Sequence, residues 1–230
     1  MNIVELRLKT HCLAELFAFY GETLSWPIEE AAEGHLVLNA GNTRLVFEAG
    51  DEGPYVYHIA FNIPQNQFTE AKAWLKARVP LLMCGENEDI HWTAWNAHAA
   101  YFIDPAGNVC EFIARHNLAN DSDQPFSPSS ILRVSEIGLA TDDVAATCDH
   151  LAAELGIDIW DAGDGEIFRA MGDEHGILIV VKSGRAWFPT DDKIAVPQPV
   201  TMTVQSQRAG EYHLPQLPYH FKMVSATAGE

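Results

Sequence analysis

The stretch Tyr101–Arg115, YFIDPAGNVCEFIAR, decides how the chain is read. Two apolar runs flank Asp104-Pro105-Ala106-Gly107. Pro105 presets φ for a first corner and Gly107 accepts a positive φ, so the segment predicts two antiparallel strands joined by a turn. The second run carries one carboxylate, Glu111, among Val109, Cys110, Phe112 and Ile113. A carboxylate in so apolar a strand is costly unless it meets water, a partner or a metal ion.

Working outward from this hairpin, one order of elements recurs. Tyr55–Pro64, YVYHIAFNIP, reads as a strand with His58 in its middle, followed by a helix whose face carries Phe68, Ala71 and Leu75. Upstream, Met1–Thr10 alternates as a strand, Leu13, Leu16, Phe17, Tyr20 and Leu24 form a helical stripe, and short strands return after Pro27. Downstream, Ile131–Thr141 is a strand, Asp142 or Asp143 caps a helix carrying Val144, Cys148, Leu151 and Leu155, and two strands surround Asp173–Gly176. Internal duplication is the economical account, with units at 1–53, 54–116 and 131–205. Residues 117–130 have the polar, Pro- and Ser-rich composition of an exposed linker, and 206–230 form a tail to which no element is assigned.

At 230 residues and 47% hydrophobic, the chain can bury real cores. Its 14 Lys plus Arg against 32 Asp plus Glu give a formal charge of −18, which argues against nucleic-acid or anionic-membrane binding through bulk electrostatics. No apolar run reaches about 18 residues, and Cys12, Cys84, Cys110 and Cys148 form no CxxC pair, so a reduced, cytoplasmic protein is expected.

YFIDPAGNVCEFI, YHIAFNIP and LAELFAFYGETLSW together resemble motifs of the vicinal oxygen chelate superfamily, which includes glyoxalase I, extradiol dioxygenases and bleomycin-resistance proteins. The resemblance covers residues 1–116 well and 131–205 more loosely. It implies an α+β fold of repeated βαβββ modules with helices outside. The first two modules would pair into a cup-shaped curved mixed sheet, with a third similar module beside them. It further implies that metal ligands come from the first and last strands of paired modules. Carried over by position, these are Glu5, His58 and Glu111, with Glu111 also the catalytic group. Two oxygen donors and one imidazole suit a divalent ion such as Mn, Fe, Ni or Zn.

The fourth ligand place is not filled. Glu111 lies four residues after Gly107; the same count from Gly41 gives Leu45, and Glu48 falls on the opposite face of its strand. In the third module Glu136 takes the first-strand place, but the count from Gly176 gives Val180, so that module is read as structural support or as a contact to a second copy in a homodimer.

Each candidate has a plainer reading. His58 could be a satisfied core histidine, Glu111 could pair with Arg7 or Arg115, and Glu5 could belong to a solvated face. His98, Trp95 and Tyr101 are candidate pocket residues, with core packing as the alternative. SGRAWFP sets Arg185 beside Trp187 and Phe188, as an anion or stacking site or as a surface loop. The functional expectation is a glyoxalase-like lyase or isomerase, or a dioxygenase, that chelates a small organic substrate through two oxygens. The alternatives are a metal-free, bleomycin-resistance-like binder of small ligands and a regulatory or scaffold protein.

Overall fold

The computed structural model describes residues 1–51 and 53–225. The first unit runs β1 (Asn2–Thr10), α1 (Leu13–Phe17, extended by a π-helical turn over Ala18–Thr23), β2 (Ile28–Ala32), β3 (His35–Ala40) and β4 (Thr43–Ala49). The second runs β5 (His58–Ile63), α2 (Phe68–Lys76), β6 (Ile90–Trp92), β7 (Ala97–Ile103) and β8 (Val109–Arg115). The third runs β9 (Arg133–Thr141), α3 (Val144–His150), β10 (Ile159–Asp161), β11 (Phe168–Asp173) and β12 (Gly176–Lys182). Asp143 is the α3 cap, its carboxylate accepting from the Ala146 N–H at 2.9 Å.

The expected α+β class with βαβββ units and curled mixed sheets is what the chain adopts, but the units pair differently. A fourth unit without a helix follows: β13 (Val200–Ser206), β14 (Gly210–His213) and β15 (Tyr219–Ser225). In the segment with no assigned element, Gly210–His213 and Tyr219–Ser225 are strand. In β15 Tyr219, Phe221 and Met223 are buried and alternate with less buried residues, which is the period-two signature of a sheet with one buried face.

One sheet has the order β14-β15-β13-β1-β4-β3-β2 and the other β10-β11-β12-β9-β5-β8-β7-β6. The first unit thus joins the fourth, with Leu8 opposite Val200, and the second joins the third, with Ala60 opposite Glu136. The expected pairing of the first two units fails because both joints are long-range antiparallel contacts, β1 on β13 and β5 on β9, which strand pattern alone does not specify.

A shared core takes one face of each sheet together with the helices. It gathers Leu6, Leu8, Leu16 and Met202 with Ile59, Phe61, Ile137 and Leu178. The opening hairpin is fastened into it. The Asp104 carboxylate accepts from the Ala106 N–H (2.9 Å), the Asn108 N–H (3.0 Å) and amide (2.8 Å), and the Tyr20 hydroxyl of the first unit (3.0 Å). Gly107, at φ +88°, makes the corner. Burial pushes the Asp104 carboxyl up to about 6 despite those bonds. Residues 117–130, otherwise exposed or half-buried, are anchored by Phe126, which is buried and packs edge-on against Trp74 of α2 with ring centroids 5.6 Å apart.

Candidate metal centre and pocket

Period-two alternation along β5 sends Ile59, Phe61 and Ile63 into the shared core and His58 and Ala60 to the other face of the second sheet. Ala60 lies opposite Glu111 on parallel β8 and opposite Glu136 on antiparallel β9. The two carboxylates therefore flank β5 from either side, on the face that carries His58. Their ligand atoms and the His58 ring nitrogen lie within 4.8 Å of one another.

His58 Nδ1 is 3.2 Å from the Val109 carbonyl oxygen, an acceptor that calls for the hydrogen on Nδ1. Nε2 then points at Glu111 Oε2 (3.5 Å) and Glu136 Oε2 (3.4 Å). Nε2 and the two carboxylate oxygens form a donor set that could hold a cation between them. Donors each about 2.0–2.2 Å from a divalent ion are themselves roughly 3.0–3.5 Å apart, so these separations fit one. The second contacts fit as well: the Val109 carbonyl orients His58, and Arg115 Nη2 bonds Glu136 Oε1, leaving Oε2 for the centre.

Arg115 is fully buried, with its guanidinium near the faces of Trp95 and Trp160 at 5.7 and 5.6 Å. Burial and then the nearby Glu136 push the Glu111 carboxyl well above the usual carboxylate range, against the opposing pull of Arg115 and of the Tyr101 hydroxyl bonded to it. Tyr101 in turn accepts from Trp92 Nε1 at 3.2 Å, and burial followed by the Glu111 charge raises its phenol well above 10.

Above the centre lies a cavity of about 320 Å³ walled by Trp92, Trp95, Tyr101, Phe168, Trp187 and Phe188. Trp187 reaches it from a small hairpin after β12, closed by the pairing of Ala186 with Ile194 and by the Trp187 N–H on the Lys193 carbonyl. Its ring stacks on His58 at a centroid distance of 5.7 Å. Gly138 makes room for it, since a Cβ there would stand 2.4 Å from the indole.

Of the residues expected from sequence, His58 and Glu111 meet in this centre, and Trp95 and Tyr101 line the cavity. Glu5 does not join them. It lies on β1 in the other sheet, where its carboxylate binds Arg7 Nε (2.7 Å) and Arg44 Nη1 (2.8 Å). Burial works to raise it, but those bonds prevail and hold it below the usual range. His98 faces away from the cavity, against Phe68 of α2 (5.3 Å) and His116 (2.7 Å between ring nitrogens), because it alternates with Tyr101's side of β7.

The third donor is Glu136, which stands at the first-strand place of the third unit although the count from Gly176 to Val180 gives that unit no second carboxylate. That count slips by one. β12 begins at Gly176 itself, paired with Asp173, whereas β8 begins two residues after Gly107, with Val109 opposite Ile103. Val180 and Leu45 both belong to the shared core, and the fourth ligand place on the cavity face is held by Ile179.

No family model and no curated protein sequence matches the chain. Solved structures do. A Bacillus subtilis protein described as a candidate dioxygenase aligns over 98% of this chain and 85% of its own, with TM-score 0.61 and 14% identity. The chain has the vicinal oxygen chelate fold. Maize (Zea mays) glyoxalase I shows the same likeness, over 97% of this chain and 92% of its own, with TM-score 0.56 and 12% identity. In this chain, the sheet formed by the second and third units carries the candidate centre.

Proposed function

We propose that the chain is a metal-dependent enzyme that acts on a small organic substrate by gathering two neighbouring substrate oxygens at the His58, Glu111 and Glu136 centre. The observation that carries this is His58 Nε2, directed between two carboxylate oxygens while Nδ1 is engaged by the Val109 carbonyl. A divalent ion held there supplies Lewis acidity toward negative charge developing on the substrate oxygens.

The chain's own groups do the rest. Glu111, on the cavity face beside the Tyr101 hydroxyl, is the carboxylate placed to move a proton to or from the substrate. Arg115 fixes the rotamer of Glu136, and the aromatic walls keep water out. This assignment favours proton-transfer chemistry, of the lyase or isomerase kind, over oxygenation. Four free thiols suit a reducing compartment such as the cytoplasm.

The metal content of protein purified without chelator and supplied with Mn, Fe, Ni or Zn tests the reading. About one equivalent is expected in the wild type and in Glu5→Ala, lost in His58→Ala, Glu111→Ala and Glu136→Ala. A wild type that binds no metal refutes it. One observation favours a metal-free ligand-binding protein instead: the Arg115 guanidinium already pairs with Glu136 beneath the centre. That outcome would appear as ligand binding unaffected by chelator.

A further inference from the structure

The polar groups around the cavity are unequally matched. The acceptors are committed: Glu111 and Glu136 face His58, Asp161 Oδ2 accepts from Trp95 Nε1 (2.7 Å), and Asp161 Oδ1 accepts from the Gly163 N–H (2.9 Å). Asp164, the next carboxylate along, is turned onto the N–H groups of Glu166, Ile167 and Phe168.

The donors are in surplus. Trp187 is 4% exposed and lines the cavity, yet its Nε1–H has no partner among the described residues. Arg185, also on the cavity wall, lies 5.8 Å over the Phe168 ring and makes no direct ion pair among the described residues, its charge reaching the Asp164 carboxylate only at longer range. Beneath the centre, Arg115 is the buried cation bonded to Glu136, and its Nε and Nη1 also lack partners.

The charge count points the same way. Two buried carboxylates, the Arg115 cation and the divalent ion of the proposed function leave one positive charge in excess, and a low-dielectric cavity does not hold such an excess without an anion.

We propose that the cavity is built for a planar aromatic monoanion of the carboxylate class. Arg185 reads its charge, and Trp187 Nε1–H bonds one of its oxygens. The aromatic walls supply the stacking surface for the ring. Arg185 is thereby a specificity-determining residue, because a guanidinium binds a carboxylate through paired N–H donors and has no such match to a neutral amide. The charge count rests on the proposed metal centre; the Arg185 and Trp187 observations do not.

Calorimetric titration with salicylate and with its neutral amide, salicylamide, tests this. Both probes are planar and offer two neighbouring oxygens, but only salicylate is an anion. Titrations are run on Mn(II)-supplied and on chelator-stripped protein, wild type and Arg185→Met. Salicylate is expected to bind wild type at least about tenfold tighter than salicylamide, and Arg185→Met to bring the two within about threefold. Equal affinities in wild type, a preference that survives Arg185→Met, or no binding of either probe overturns the proposal. If wild type takes up no metal while stripped protein still shows a preference that Arg185→Met removes, the metal centre fails and this proposal stands. Stoichiometric metal without the preference gives the reverse.

Discussion

Replacing Arg115 by Met removes the cation under the centre while keeping most of the side-chain volume. Arg115 is 0% exposed and Glu136 2%, so the pair is cut off from water and screening. Taking one partner from such a pair costs about 3–5 kcal/mol, because the remaining carboxylate is left buried and uncompensated beside a second one, Glu111. For a chain of this size each kcal/mol lowers Tm by about 2–4 °C, so Arg115→Met should melt roughly 6–20 °C lower in the presence of chelator.

A thermal and urea double-mutant cycle with Glu136→Gln isolates the pair. The double variant, which buries neither charge, should recover more than about 1 kcal/mol relative to additivity. Manganese should stabilise Arg115→Met more than wild type, since the carboxylates no longer share a cation. A loss below about 1 kcal/mol for Arg115→Met in chelator would show that the guanidinium does not sustain a desolvated charge, and the reasoning about the centre's charge balance would fall with it.

Two further outcomes follow from the geometry. Ile179→Glu adds a carboxylate at the empty fourth place: metal affinity by calorimetry should rise at least about tenfold, while the metal-free protein loses about 1–3 kcal/mol for a buried unpaired group. Burial pushes the folded Asp104 carboxyl up to about 6, against about 3.9 for a free aspartate, so its protonated form is favoured by folding. Wild-type stability relative to Asp104→Asn should therefore be greatest below about pH 4 and decline toward pH 6, by on the order of 3 kcal/mol, in urea titrations across that range; a rise would contradict the burial argument.

The strongest sequence signals were local. The Asp-Pro-Ala-Gly corner, the His58 strand, the α3 cap at Asp143 and the helical stripes each follow from side chains within a few residues, and the structure has them. Glu111 was legible for the same reason: β8 is buried along its whole length, so a carboxylate in it must have partners. The pairing of units was not legible, because β1 and β5 present similar alternating faces and either could meet any strand of like pattern. Glu5 was drawn into the site by that ambiguity, although Arg7 two residues on and Arg44 across the sheet satisfy it where it stands. Glu136 was concealed by a difference of one residue between two turns of equal Asp-x-x-Gly spacing, since one residue exchanges the faces of a strand.

The nested order of pairing, second unit with third inside first unit with fourth, bears on how the chain is made. The sheet with the candidate centre is complete in the nascent chain once β12 has emerged, whereas β1 emerges ahead of it and must wait for β13 and β15 before its sheet closes. Through most of synthesis Ile3, Leu6 and Leu8 therefore stand beside an open sheet edge, a state prone to wrong pairing. Cotranslational handling, more than the stability of the finished fold, is where this arrangement exacts its cost.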